Sequence, residues 1–275
     1  MFALTSLAAR VALLPIVWIA SALSANAQTV YRVDAYPVST MTLTQTQFLK
    51  GEKNGQSAIV AGVLRVPGPL TVIEKKPLVI LLSGLGGANS AHDNWAQELL
   101  DTGTAVFTLD SFSGRQLYNM AQHSGLSSFT RMLDAFAAAD TLKNNPRVDA
   151  SRIAVMGLSG GAVAALYSSN ARFAQTYGPA GFQFAAHIAL YGPCHTTLQR
   201  DTETTGKPIR LFHGTADDWI PIGPCRSYVD RLKKAGADVS LTELPDAHHA
   251  YDIPAFPKVT CAGDQPSKLS ARRRS

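Results

Sequence analysis

The sequence predicts a single α/β domain built on a mainly parallel sheet of about eight strands, with helices on both faces. Three observations carry this. Short β-branched apolar runs alternate with helical patterns along most of the chain. Most of the runs are apolar on both faces, as buried parallel strands are. No repeat of about 20 to 50 residues and no low-complexity block divides the 275 residues, a length that one large domain accommodates.

Taken in order, Thr42–Phe48 and Ala58–Val66 read as two strands around the polar Gly51–Gly55 turn, an antiparallel pair at the edge of the sheet. The buried strands are then Leu78–Leu82, Ala105–Leu109, Ile153–Met156, Ala186–Leu190, Ile209–Phe212 and Val239–Leu244. Between them lie helical patterns at His92–Leu100, Phe129–Leu142, Gly160–Ala174 and Arg226–Ala235. Strand, helix, strand repeated this often implies right-handed crossovers. Only about 15 residues separate Tyr191 from the strand near Pro208, too few for an inserted helical domain, so the chain is expected to have no lid and an open site.

Composition supports a full core: 46% of residues are hydrophobic and 16% charged, which excludes wholesale disorder. The formal charge of +5 is unevenly placed. Arg10 falls in a leader, and Lys268, Arg272, Arg273 and Arg274 crowd a basic tail over 267–275, leaving a nearly neutral body with no groove for nucleic acid. Residues 1–27 have the form of a secretory signal: Arg10, the apolar run Val11–Leu23, then the small-x-small site Ala25-Asn26-Ala27. That run is about 13 residues, short of the roughly 20 that span a bilayer, so cleavage after Ala27 and a soluble periplasmic or secreted protein are expected, with a retained anchor as the alternative. The domain then occupies 28–266.

Export permits disulfides, and the cysteines are Cys194, Cys225 and Cys261. Cys194 and Cys225 each follow Gly-Pro, and each is read as lying just after a strand, so they are the expected pair; two unpaired buried thiols are the alternative. No Cys-x-x-Cys is present to suggest zinc or thiol redox chemistry.

The chemistry centres on Gly157-Leu158-Ser159-Gly160-Gly161, which fits G-x-S-x-G. The bare motif is weak. Its setting is strong, because it follows a buried strand and opens a helix, where glycines let the backbone turn sharply and leave the serine exposed. A serine nucleophile needs a base in hydrogen-bond reach and a carboxylate to orient that base. Downstream, Asp217-Asp218 follows one strand and His248-His249 follows the last, both at strand C-terminal ends, where open α/β sheets bind ligands. Asp217 and His249 are the favoured members of each pair. His248, His249 and Asp252 lack further ligands for a metal, and neither metal nor cofactor is expected. Ser83-Gly84-Leu85-Gly86-Gly87 follows another strand and is placed to supply one oxyanion amide, at Leu85, with Gly160 supplying the second. No Lys-Ser/Thr follows it, as a nucleotide loop requires.

These residues resemble the dienelactone hydrolase family of α/β-hydrolases. The similar features run from about Thr42 to Tyr251: the Gly84–Gly87 loop, Leu109-Asp110-Ser111-Phe112 followed by Arg115, Arg152–Gly157, Asp217-Asp218-Trp219 and His249-Ala250-Tyr251. The resemblance implies an α/β-hydrolase fold, an acid at Asp217 after Gly214-x-x and a base at His249 before Ala250-Tyr251. Several positions depart from the family. Founders use cysteine where Ser159 stands, many members have histidine at Ser83 and glycine at Ala162, and Gln116 replaces a glycine often found after the arginine. Arg115 is therefore not counted in the site.

The activity implied is an exported serine hydrolase acting on a small-molecule carboxylic ester or lactone, with no cofactor. Two rivals stand beside it: a serine peptidase of prolyl-oligopeptidase type, and a non-catalytic binding protein on a hydrolase scaffold. Trp219 and Phe112 are candidate pocket residues near the strand ends.

Overall fold

The computed structural model describes residues 31–69 and 71–253; the leader 1–27, Cys261 and the tail 267–275 lie outside the described residues. Its sheet holds β1 (Tyr31–Thr42), β2 (Gln56–Pro67), β3 (Lys76–Leu82), β4 (Ala105–Asp110), β5 (Val148–Leu158), β6 (His187–Leu190), β7 (Ile209–Gly214) and β8 (Val239–Leu244). The spatial order is β1-β2-β4-β3-β5-β6-β7-β8. β1 with β2 and β2 with β4 are antiparallel, and every other pair is parallel.

The central strands are apolar on both sides because the sheet is covered on both sides. In β3, Leu78, Ile80 and Leu82 enter one core and Val79 and Leu81 the other, all buried. The first core takes α1 (Gln45–Lys50), α4 (Ser128–Leu142), α5 (Gly160–Tyr167), α6 (Ala171–Tyr177) and α7 (Gly223–Lys234); the second takes α2 (Ser90–Asp101) and the segment around Ala250. Among the described residues no helix is long and apolar enough to cross a membrane.

Three expectations need correction. Thr42–Phe48 is not a strand. The edge strand is β1, which lies upstream and pairs with β2 along its whole length, and Gln45–Lys50 is helical. Thr44 caps that helix, its hydroxyl oxygen accepting from the Gln47 amide while the Gln47 side chain accepts from the Thr44 amide. The turn delivers Phe48 into the core, stacked at 4.9 Å on Phe129 and 4.4 Å on Tyr177. Burying such a ring stabilises the fold by about 2–3 kcal/mol.

The predicted helix Gly160–Ala174 is two helices, α5 and α6. The break falls at Ser168-Ser169-Asn170, where Asn170 turns extended and caps α6 through the Phe173 amide. Cys225 does not follow a strand; it stands in the first turn of α7, after Pro224. Between β6 and β7 no lid is inserted. Between β4 and α4, however, the chain carries a single 3-10 turn at Ser113–Arg115 and the short α3 (Met120–Ser124), neither of which the hydrophobic pattern had indicated.

Candidate active site

Ser159 sits between the end of β5 and α5 with φ 50° and ψ −116°, a backbone that side-chain-bearing residues rarely adopt. Two glycines of the motif make the turn possible. A Cβ on Gly157 would lie 2.2 Å from the Gly161 oxygen, and one on Gly161 would lie 2.5 Å from the Ser83 oxygen. The second contact is also where the turn meets the loop after β3.

Ser159 Oγ lies 3.0 Å from His249 Nε2, and His249 Nδ1 lies 2.9 Å from Asp217 Oδ2. With the imidazole proton on Nδ1 and donated to Asp217, Nε2 is left to accept from the serine hydroxyl. The other Asp217 oxygen accepts from the amides of Trp219 at 3.1 Å and Ile220 at 2.9 Å. Burial works to raise the Asp217 carboxyl, but hydrogen bonds from His213, His249 and the Ile220 amide outweigh it and hold the group well below the usual carboxylate range. It is therefore an anion in place to orient and stabilise an imidazolium. Of the two tandem pairs, Asp217 and His249 are the members brought to Ser159, while Asp218 is exposed.

Leu85 and Gly160 come together beside Ser159. A Cβ on Gly160 would meet the Leu85 side chain at 3.1 Å, and one on Gly84 would lie 4.0 Å from Ser159 Oγ. Among the described residues nothing accepts a hydrogen bond from the Leu85 or Gly160 amide. The Leu85 carbonyl is held from behind by His123 Nδ1 at 2.7 Å. Cys194 and Cys225 are joined as a disulfide, with Cα atoms 4.9 Å apart.

Several neighbours of the triad carry no motif and were not read from the sequence. His213, at the end of β7, is buried, with Nε2 2.7 Å from the Ile220 oxygen and 3.3 Å from Asp217 Oδ2; its ring proton goes mainly to the nearer carbonyl. Tyr191 meets the His249 ring edge-on at 5.0 Å. Its hydroxyl and the Trp95 indole both donate to Asp252 Oδ2, at 3.1 and 2.6 Å, tying the histidine loop to the sheet end and to α2.

The two candidate pocket residues part ways. Trp219 is 56% exposed and stacks on His249 at 5.4 Å, whereas Phe112 is buried between Arg131 and His123 and forms part of the wall of a cavity. Arg115 is structural: it forms two 2.8 Å bonds to Asp134 and one to Thr42. A cavity of about 480 Å³ takes in Ser83 and Gly87 of the loop after β3, but none of Ser159, Asp217 and His249 lines it.

A family model described as the dienelactone hydrolase family matches residues 64–260. The chain belongs to the dienelactone hydrolase family. That membership makes it a carboxylic ester hydrolase by class. Solved structures agree at the level of the fold. A dienelactone hydrolase-like promiscuous phosphotriesterase from metagenomic libraries superposes with a TM-score of 0.59 at 17% identity, covering 87% of this chain and 95% of that one. Propionate-bound esterase 2 of Thermogutta terrifontis gives 0.53 at 17% identity, covering 69% and 80%. Esterase LipQ of Mycobacterium tuberculosis is 43% identical over 49 residues, which are 18% of this chain and only 12% of that protein.

Proposed function

We propose that this dienelactone hydrolase-family member cleaves a carboxylic ester or lactone through an acyl-enzyme on Ser159. His249 Nε2 takes the Ser159 proton as Oγ attacks the carbonyl carbon. The carbonyl oxygen becomes an anion held by the Leu85 and Gly160 amides, and His249 passes its proton to the leaving alcohol oxygen. Water, deprotonated by the same imidazole, then releases the acid and restores the serine. Asp217 stays ionised throughout, fixing the imidazole tautomer and offsetting its positive charge.

The observation that carries the reading is the continuous hydrogen-bond chain from Ser159 through His249 to Asp217, at 3.0 and 2.9 Å, beside two amides that have no partner among the described residues. The same reading orients the substrate. The leaving oxygen must sit at His249 Nε2, so the alcohol portion lies on the Trp219 side and the oxyanion on the Leu85 side. Export to the periplasm or medium is part of the proposal, supported by Val11–Leu23 ahead of Ala25-Asn26-Ala27.

The test is reaction of the purified mature protein with a fluorophosphonate probe, alongside Ser159→Ala and a panel of short and long p-nitrophenyl esters. Labelling and turnover by the wild type alone support the reading. A folded wild type that neither labels nor hydrolyses overturns it in favour of a binding protein on a hydrolase scaffold.

A further inference from the structure

Arg131, at the end of the first turn of α4, is 1% exposed, so its guanidinium is removed from water. Nη2 donates to the Ser83 carbonyl, while Nε and Nη1 are buried without a hydrogen-bond partner among the described residues. The nearest acid on its own helix is Asp134, whose charge offsets the burial of Arg131 only in part, because that carboxylate is engaged on both oxygens by Arg115 and again by Thr40 at 2.9 Å. One positive charge is thus left over in the core behind the active site. Burying a cation without a counter-charge is costly, and proteins seldom retain one unless something nearby uses it.

What lies nearby is the oxyanion hole. A Cβ on Gly160 would meet Arg131 Nη1 at 3.3 Å. Ser83, which accepts from Nη2, begins the loop that carries Leu85. The N-terminal end of α5 points the same sign of charge at the same place. Phe112 completes the setting, with the guanidinium carbon 4.9 Å above its ring on one side and His123, which holds the Leu85 carbonyl, stacked at 3.9 Å.

We infer that Arg131 is a positioning residue for the reaction: it anchors the oxyanion loop through Ser83, and its charge, only partly offset by an Asp134 already bound to Arg115, favours the tetrahedral anion over the neutral ester. The inference rests on the acyl-enzyme reading of Ser159. In the resting enzyme the charge opposes stability. When the carbonyl oxygen becomes negative, the same charge acts across a dry, fixed environment without reorganisation.

Arg131→Met removes the charge and keeps the bulk, Arg131→Gln keeps a donor for the Ser83 oxygen without the charge, and Arg131→Lys keeps the charge. The measurements are the pre-steady-state acylation rate with p-nitrophenyl acetate, KM, inhibition by a phenylboronic acid that forms an anionic adduct on serine, and Tm. Arg131→Met and Arg131→Gln are expected to slow acylation about 100-fold and weaken the boronate by a similar factor, with little change in KM. Arg131→Lys is expected to recover most of both, and Tm to hold or rise in Arg131→Met. Arg131→Gln acylating within twofold of wild type overturns the inference. So does an equal loss in Lys and Gln accompanied by a lower Tm, the mark of a packing role. If the wild type itself fails to label with a fluorophosphonate, the Ser159 reading fails instead.

Discussion

Replacing Asp252 with alanine removes the acceptor on which two partly buried donors converge, the Trp95 indole at 2.6 Å and the Tyr191 hydroxyl at 3.1 Å. Each hydrogen bond to a charged group is worth about 1.5–3 kcal/mol net. The two share one oxygen and are coupled, so their loss is less than additive, about 2–4 kcal/mol in all. That is below the roughly 5–15 kcal/mol that holds a domain together, so the protein stays folded and the histidine loop loosens. The expected outcome is a Tm lower by about 5–10 °C and a kcat/KM for p-nitrophenyl acetate lower by about 10- to 100-fold, because His249 lies three residues away on the loop that is released. Asp252→Asn retains an acceptor oxygen and is expected to fall between. Scanning calorimetry and steady-state kinetics on the same preparations decide it. A normal kcat/KM in Asp252→Ala with a lowered Tm would refute the reasoning, because the loop would then be held without the carboxylate.

Burial lowers the His187 imidazole to about 4, with Nδ1 2.9 Å from Ser168 Oγ and Nε2 unpartnered. Its folded value lies below its unfolded one, so its contribution is complete above about pH 6.5 and is lost as pH falls toward 4. The loss is on the order of 3 kcal/mol, and urea unfolding from pH 7 to 4.5 is expected to track it, with a flatter profile in His187→Phe. Trp219→Ala is expected to lower kcat/KM for a benzyl ester about tenfold and for the methyl ester of the same acid about twofold, because the two alcohols leave equally well and differ only in the ring that meets the indole. The Cys194–Cys225 bridge joins residues 31 apart in sequence, so Cys194→Ala with Cys225→Ala is expected to cost about 3–4 kcal/mol and roughly 10 °C in Tm, read by thermal melts with and without reductant.

The central sheet was legible because β3, β4 and β5 are buried on both faces, which leaves nearly continuous apolar runs. The edge was not. β1 is exposed along much of its length, so its sequence has no such run, and the apolar Phe48 drew the strand assignment onto α1. The cue that separates them is local: Thr44 three residues before Gln47, followed by Gly51 at φ 79°. The split of α5 from α6 has a similar cue in Ser168-Ser169-Asn170, residues that compete for backbone bonds.

At the site, Ser159, Asp217 and His249 could be named because each is tied to a strand end by its flanking glycines or its chain order. His213, Tyr191, Asp252 and Arg131 could not be. The partners of Arg131, Tyr191 and Asp252 are 48 to 157 residues away, and although His213 is only four residues from Asp217, nothing in the pattern around it distinguishes a histidine against Asp217 from any buried histidine. Phe112 and Trp219 illustrate the same limit, since both are aromatics near strand ends and only the fold tells a buried cavity wall from an exposed rim.

The most direct test of the account is to quench the wild-type enzyme in acid during turnover of p-nitrophenyl acetate and locate the acyl group by peptide mass mapping. An acetyl adduct on Ser159, formed with a burst of about one p-nitrophenol per enzyme and lost on Ser159→Ala, is the predicted result. Steady turnover with neither burst nor adduct, or an adduct on another residue, would contradict it.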